Sequence, residues 1–392
     1  MIANGHTSER ILIVGGGVSG LSIACRMAQA GLPVTVLEAS RPGIGASTRN
    51  QGWLHSGAWF APQHPELARL CYRSLQHTLA FCPECLEPDT ERMAFVFSRR
   101  DTDRRHWTEA WRLAGIPFEE WPRDDLRDRL PGTAAAQVRR GFRLPDRAVR
   151  FDRLVDCLAT TAVDAGAELR SGTPVCELVI ADEIVRGVKL GGGEQISARV
   201  VILAGNAAGA SLWPGIGGSH AGRQSEFTRV FLKTHLMAVE PAISRVPFCV
   251  VDAGGLNHIP HQQASVFGTS RWQVVKCQCE PSGTDEDEVD ALRAGVQRFF
   301  PSLNHGGRTV TSWAGTTVQA MHFDQIDPGT APLPTTIDHA HESPRVGNLL
   351  SVFPGRATLW PQLAEQASRT VFEMIDPAVN AVARPPWECA SA

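Results

Sequence analysis

Ile11-Leu-Ile-Val14 is a short apolar run without alternation. Such a run suits a strand buried on both faces of a parallel sheet, where helices cover each side. Gly15-Gly-Gly-Val-Ser-Gly20 follows, and Leu21–Ala30 then reads as a helix with Ile23, Met27 and Ala30 on one side. Gly31 is a natural helix stop, since glycine takes the left-handed conformation at little cost. Val34–Leu37 is a second apolar run and ends at Glu38. The pattern predicts strand, turn, helix and strand in immediate succession.

Further along, Pro65 opens a predicted helix carrying Leu67, Leu70, Cys71, Leu75, Thr78 and Leu79 at helical spacing. Phe95 and Phe97 alternate, and a charged stretch with Trp107, Trp111 and Trp121 reads as helical. Asp152 is placed to cap a helix bearing Leu154, Leu158, Ala162 and Ala165, which Gly166 ends. Val200–Leu203 is another double-sided strand and runs into Ala204-Gly205-Asn206-Ala207.

From about Arg223 to Gln319 the pattern changes. Strand-like runs at Phe231–Val239, Phe248–Val251, Ser265–Gly268 and Gln273–Lys276 lie between turns. One helix interrupts them, with Val289, Leu292, Val296, Phe299 and Phe300 on its apolar side. This predicts a mostly antiparallel sheet with a helix. Leu349–Val352 is a last strand, and Phe353-Pro-Gly-Arg356 leads into a final helix.

With 392 residues, 43% hydrophobic and 20% charged, the chain has material for about two globular domains. A net charge of −3 argues against a nucleic-acid partner recruited by general basicity. The polar first nine residues predict no secretory signal, and no apolar run approaches a membrane span. A cytoplasmic location is the expectation. The ten cysteines are then expected as reduced thiols. Cys82 and Cys85 form a CxxC and Cys277 and Cys279 a CxC, but no second CxxC stands at zinc spacing. His339-x-His341 has no accompanying ligand cluster, so no metal is expected.

The first segment with chemistry is Gly15-x-Gly17-x-x-Gly20. Its glycines permit a tight turn and close backbone approach to a pyrophosphate. The following helix presents free N–H groups and the positive end of its dipole. Glu38, at the end of the next strand, is placed to accept hydrogen bonds from a ribose diol. Pro42–Gly52 then brings a small, polar segment where a simple nicotinamide domain would run on to another helix. Such a segment can wrap a second phosphate and reach a flavin ring.

Here the chain resembles a known family. Gly45-Ala-Ser-Thr-Arg-Asn-Gln-Gly-Trp-Leu-His-Ser-Gly57 is similar to the flavin-contacting segment of the FAD-dependent D-amino-acid oxidase superfamily. Leu54-His55-Ser56-Gly57 is most similar to its glycerol-3-phosphate dehydrogenase and L-2-hydroxyglutarate oxidase branch. Five later segments resemble the family in order: Asp146–Leu154, Ala204–Ala207, Thr284–Leu303, Ser312-Trp-Ala-Gly315 and Pro354–Thr358. The resemblance implies an α/β Rossmann-type FAD-binding domain, discontinuous over about 1–75, 146–222 and 325–392. It also implies a mostly antiparallel α+β substrate domain over 76–145 and 223–324.

FAD would lie extended. The resemblance implies contacts from Gly15, Gly17, Val18, Ser19 and Gly20, and from Glu38 and Ala39. Ser47, Thr48, Arg49, Asn50, Gln51, Gly52 and Leu54 would follow the ribityl chain and ring. Val175 would meet the adenine through its backbone, and Ala204 and Gly205 would end a contacting strand. Gly355, Arg356, Ala357 and Thr358 would start the last helix against the ring edge that becomes anionic on reduction, with Arg356 stabilising that charge.

His55 would stand beside the ring. Three roles are open to it: general base toward a substrate hydroxyl, since imidazole titrates near neutral pH; covalent tether; or a ring that only packs. His258 and His261 fall at a strand end that would face the flavin, His261 as a second catalytic candidate and His258 as a substrate contact. Arg271 is a candidate anion clamp. Thr317 occupies the place where the branch carries a substrate-holding arginine, and Trp313 replaces a tyrosine. A threonine hydroxyl cannot form the bidentate pair of a guanidinium with an anion. Together these suit a neutral, sugar-like or polyhydroxylated substrate, unless Arg271 or Arg356 supplies an anion site. The implied reaction is oxidation of a secondary alcohol by hydride transfer to flavin N5, or of an amine or amino acid in the alternative. Oxygen, a quinone or another carrier would take the electrons.

Overall fold

A computed structural model describes residues 9–98, 104–130, 138–214, 227–270, 272–275, 283–300, 308–322 and 333–376. The double-sided apolar runs assemble into one six-stranded sheet, in the order 335–338, 349–353, 200–203, 11–14, 34–37 and 168–170. All pairings are parallel except the antiparallel edge strand Thr335–Asp338. Ile11–Val14, at the centre, is buried throughout because it pairs on both sides and is covered on both faces.

Helices Val18–Gln29, Phe151–Asp164 and Trp360–Ile375 cover one face and share its largest core. An antiparallel sheet of Val175–Ala181, Ile184–Leu190 and Gln195–Ser197 supplies the other, through Val185, Val188 and Ile196. The sequence pattern gave no sign of this small sheet, whose strands are half exposed and irregular.

The second large sheet has nine strands. Its axis is a long antiparallel pair, Phe227–Glu240 with Thr309–His322, in continuous register from Phe227 opposite His322 to Glu240 opposite Thr309. Thr309–His322 was not anticipated, because its threonines, glycine and polar residues lack a clean apolar alternation. The other pairings are antiparallel, save Phe248–Val250 with Met93–Phe97. Helix Glu286–Phe299 packs Leu292, Val296 and Phe299 against this sheet and is capped by Asp285, which accepts from the Asp287 and Glu288 N–H groups.

Two local expectations need correction. Asp152 does not cap its helix. Phe151 is already helical, Arg150 holds the cap position, and Asp152 pairs instead with Arg150 at 2.9 Å. Trp107 and Trp111 lie on helix Arg104–Leu113 as expected, whereas Trp121 ends a short strand, Glu119–Trp121. Its ring packs into the second core beneath the Arg143 guanidinium, 4.8 Å away. The described residues include no helix long and apolar enough to cross a membrane.

Candidate active site

The two large sheets meet along a cleft of about 300 Å³, and the glycine turn forms one end of it. Gly15 has φ +113°, and a Cβ there would stand 2.8 Å from the Ala204 carbonyl and the Gly205 nitrogen. The strand ends at Val14 and Leu203 therefore close on each other only because position 15 lacks a side chain. Gly20 does not line the cleft. It serves the turn from inside, where a Cβ would lie 2.0 Å from the Gly15 carbonyl oxygen.

Gly15, Gly17, Val18 and Ser19 line the cleft. The helix they open has no side-chain cap and no acidic residue in its first turn. Its positive end thus faces the cleft with no carboxylate of its own first turn to offset it. Glu38 closes this end, accepting from Gly16 N–H at 2.8 Å and Ser40 N–H at 2.9 Å. Ala39, one residue on, is exposed outside the cleft.

The segment after Glu38 folds back over the turn. Ser47 Oγ accepts from Val18 N–H at 3.0 Å and sits where a Cβ on Gly17 would go. Asn50 donates to the Ser47 carbonyl at 2.7 Å and accepts from Gly52 N–H at 2.8 Å. Ser47, Asn50 and Gln51 line the cleft, together with Gly43, Ile44, Gly45 and Ala46, which belong to the Pro42–Gly52 segment but were not named as individual contacts.

Thr48, Arg49, Gly52 and Leu54 are held elsewhere. The Thr48 hydroxyl donates to the Gly43 carbonyl at 2.6 Å. Arg49 is exposed, and its carbonyl accepts from Trp313 Nε1 at 3.0 Å. Gly52 faces Val149 and His261, and Leu54 is fully buried in the core of the parallel sheet. Val175 begins its strand on the far side of Glu38 and packs into the core there, outside the cleft.

Ala204 and Gly205 line the cleft beside the glycine turn, and Gly355, Arg356, Ala357 and Thr358 line it beyond the end of the neighbouring strand. A short 3-10 turn, Ala357–Leu359, precedes the last helix, so the α-helix starts at Trp360 and not at Gly355. Between these segments stands His55. Its ring lies against Trp53, centroids 4.2 Å apart, and Phe60, 5.3 Å apart. Burial, reinforced by the Arg356 charge, holds the imidazole well below its ordinary pKa, so it is neutral at neutral pH. The Arg356 guanidinium carbon sits 4.0 Å from the Phe60 ring centroid. Burial lowers its pKa to about 10, which leaves it charged.

Three polar atoms of the cleft residues are buried without a protein partner among the described residues: Gln51 Oε1, His55 Nδ1 and Arg356 Nε. Buried polar groups are normally satisfied, so such a cluster marks a place built for a polar ligand. A glycine turn at a helix N-terminus, a carboxylate at the second strand end and a long cleft toward His55 and Arg356 fit an extended dinucleotide.

Asp146 opens one of the family-like segments, but sequence reasoning assigned it no role at the site. It is fully buried and accepts from Trp53 Nε1 at 2.8 Å, from Ser56 N–H at 3.0 Å and from the Ser56 hydroxyl. It therefore pins both sides of His55. Burial raises its carboxyl to a pKa of about 6. Its signal in the chain was its place at the head of the Asp146–Leu154 segment, which says nothing of a contact with Trp53 and Ser56.

Five further site expectations fare differently. Thr317 lines the cleft, but its hydroxyl is engaged by Asn206 Nδ2 at 3.1 Å. Trp313 does not reach the cleft: it lines a separate, open cavity of about 510 Å³ on the outer side of Thr48–Gly52. His258 is not a substrate contact. It is fully buried between Phe248 and Phe267, with Nδ1 at 3.1 Å from the Val246 carbonyl and Nε2 at 2.7 Å from Ser265 Oγ. One residue beyond its strand, His261 turns to the outer cavity and pairs with the buried Glu87 at 3.0 Å, so it does not share the cleft with His55. Arg271 lies outside the described residues. Thr234 and Leu236 on the antiparallel sheet, with Thr269 and Trp272 just outside its strands, face the cleft instead.

A dinucleotide cleft walled on one side by a parallel sheet and on the other by a long antiparallel one defines a two-sheet flavin-dependent oxidoreductase. The family follows from comparison: the family model described as FAD dependent oxidoreductase (DAO) matches residues 10–348, and the chain belongs to that family. It is an FAD-dependent oxidoreductase. Anaerobic glycerol-3-phosphate dehydrogenase subunit A1 of Haloferax volcanii is 27% identical over 94% of this chain, which spans only 64% of that relative's length. Glycine oxidase of Pseudomonas aeruginosa is 27% identical, with 79% of this chain and 82% of that protein covered. The crystal structure of glycine oxidase from Geobacillus kaustophilus superposes with a TM-score of 0.71 at 20% identity, covering 97% of this chain and 98% of that one, a likeness of fold.

Proposed function

We propose that the chain oxidises a secondary alcohol carrying an anionic or polyhydroxylated group, with His55 as the proton acceptor. FAD, when bound, takes up the two electrons that the substrate loses. The observation that carries the reading is the pairing, in one cleft, of a neutral imidazole with an unpartnered Nδ1 and a charged guanidinium without a carboxylate partner among the described residues. A carbinol must shed its hydroxyl proton as it is oxidised, and a neutral histidine can take it. A primary or secondary amine can react in its neutral form and has less need of such a base.

Trp53 and Phe60 hold the imidazole on its faces, and Thr358 and Asp146 hold the backbone on either side of it. The ring is thus oriented before substrate arrives, which keeps the entropic cost of positioning out of the reaction step. Arg356 binds the substrate's anionic or electron-rich group and, through its charge, keeps His55 unprotonated and ready. The glycerol-3-phosphate dehydrogenase relative supports the alcohol reading.

The test is anaerobic bleaching of the FAD-loaded protein by polyol phosphates, 2-hydroxy acids, free polyols and amino acids. The reading expects bleaching by hydroxyl compounds and none by amines. Bleaching confined to amines or amino acids overturns it.

A further inference from the structure

We propose that Cys82 and Cys157 form a redox-active dithiol, closed to an intramolecular disulfide by hydroperoxides, independent of the flavin cleft and of the substrate reading above. Cys82 ends helix Pro65–Phe81 and Cys157 lies in helix Phe151–Asp164, yet their sulfurs are 2.7 Å apart across 75 residues of chain. A disulfide bond measures about 2.0 Å. Two thiolates on tetrahedral zinc, each about 2.3 Å from the metal, stand about 3.8 Å apart. The observed spacing is too tight for two ligands of one zinc ion and lies on the path to a covalent bond.

The surroundings divide the labour between the sulfurs. Cys82 is fully buried, whereas Cys157 is partly exposed, so a peroxide reaches Cys157. The Cys157 thiol donates to the Glu84 carboxylate at 2.8 Å, which orients the thiol and holds it protonated until solvent hydroxide removes the proton. The Cys157 sulfur attacks the peroxide O–O bond, forming a sulfenic acid and releasing water (or an alcohol, from an organic peroxide). Cys82 sulfur then attacks the sulfenic sulfur. The S–S bond forms, the S–OH bond breaks, and the Cys82 proton leaves with the hydroxyl as a second water. Two thiols are oxidised and one peroxide is reduced. Burial and the neighbouring carboxylate push the Cys157 thiol up, so the reaction accelerates as pH rises.

Cys85 completes the CxxC, is fully buried and also touches the Cys82 thiol, so it is the competing partner that its own variant must separate from Cys157. The FAD-loaded full chain is reduced, freed of reductant, treated with hydrogen peroxide, and analysed by thiol titration and peptide mass spectrometry. The expected result is loss of two of the ten thiols, loss of two hydrogens in mass, and a Cys82–Cys157 linked peptide. Cys157→Ser abolishes the link, Cys85→Ser retains it, and Glu84→Gln speeds it, because removal of the carboxylate eases formation of the Cys157 thiolate. The melting temperature of the wild type rises on oxidation, because the bond ties distant helices together. Cys157 advancing to the sulfinic acid with Cys82 still free overturns the proposal. So does a Cys82–Cys85 link, or thiols shielded by stoichiometric zinc in the protein as purified.

Discussion

The backbone N–H of His55 donates to the Thr358 hydroxyl at 3.2 Å, joining residues 303 positions apart in the chain. That bond binds the segment carrying the imidazole to the turn carrying Arg356. The position of each cleft group thus depends on the other, and both rest on the parallel sheet whose strands end beneath them.

His55→Ala is expected to keep FAD bound and to slow its reduction by substrate about 10²–10⁴-fold, the usual range for loss of a general base. The pKa of His55 lies well below the ordinary value, so the wild-type reduction rate should be flat through the neutral range and fall only in acid, where the imidazole protonates. Stopped-flow reduction against pH checks both. A wild-type rate that climbs through neutrality, or a mutant as fast as wild type, removes His55 from the role.

Arg356→Gln should act twice. Losing a charge-assisted hydrogen bond costs roughly 1.5–3 kcal/mol, which predicts a KM raised about 10–150-fold. The guanidinium also depresses the His55 pKa, so the acid limb of the rate profile should move to higher pH in the variant. An unmoved acid limb would separate the two groups.

Glu38→Ala removes the acceptor that holds Gly16 N–H and closes the end of the cleft beside the glycine turn. FAD affinity should fall by about tenfold or more on the same charge-assisted scale, while substrate KM in fully loaded protein stays unchanged. Flavin fluorescence on titrating apoprotein measures the first and steady-state assays the second. A change confined to KM contradicts the assignment of this end to the cofactor.

Stability should decline as the solution is acidified below about pH 6.5. Burial pushes His258 down to about 3 and His339 to about 4. The unfolded chain therefore binds protons that the folded chain refuses, and stability is lost as pH falls below the unfolded histidine value. Asp146 has the opposite sign. Its folded pKa is raised from 3.8 to about 6, so its contribution is full in acid and is lost as pH rises through 6. The histidines outnumber it, so the net slope is destabilising. Denaturant unfolding of His258→Gln between about pH 4 and 6 should show a slope shallower by one proton, ~1.4 kcal/mol per pH unit. An unaltered slope means His258 titrates normally in the fold.

The local pattern by itself determined the nucleotide-binding half. Ile11–Val14, the glycine turn, the helix to Gln29 and Val34–Leu37 are consecutive in sequence, and each is dictated by short-range physics: buried parallel strands read as apolar runs, and the turn needs glycine. Glu38, Ser47 and the Gly355–Thr358 turn were legible for the same reason, as motif residues lying next to elements that position them. What only the tertiary structure decided were the contacts between distant segments. Nothing near His258 in sequence says that Phe248 and Phe267 will enclose it, since these come from neighbouring strands of the antiparallel sheet. Nothing around Trp313 says that the Arg49 carbonyl will draw its indole to the outer side of the Thr48–Gly52 segment. Asp146 under His55, and Cys82 against Cys157, likewise arise where separate elements pack. Strand pairing and helix packing choose which side chains share a space, and that choice is made by burial summed over the whole core, which no local window contains.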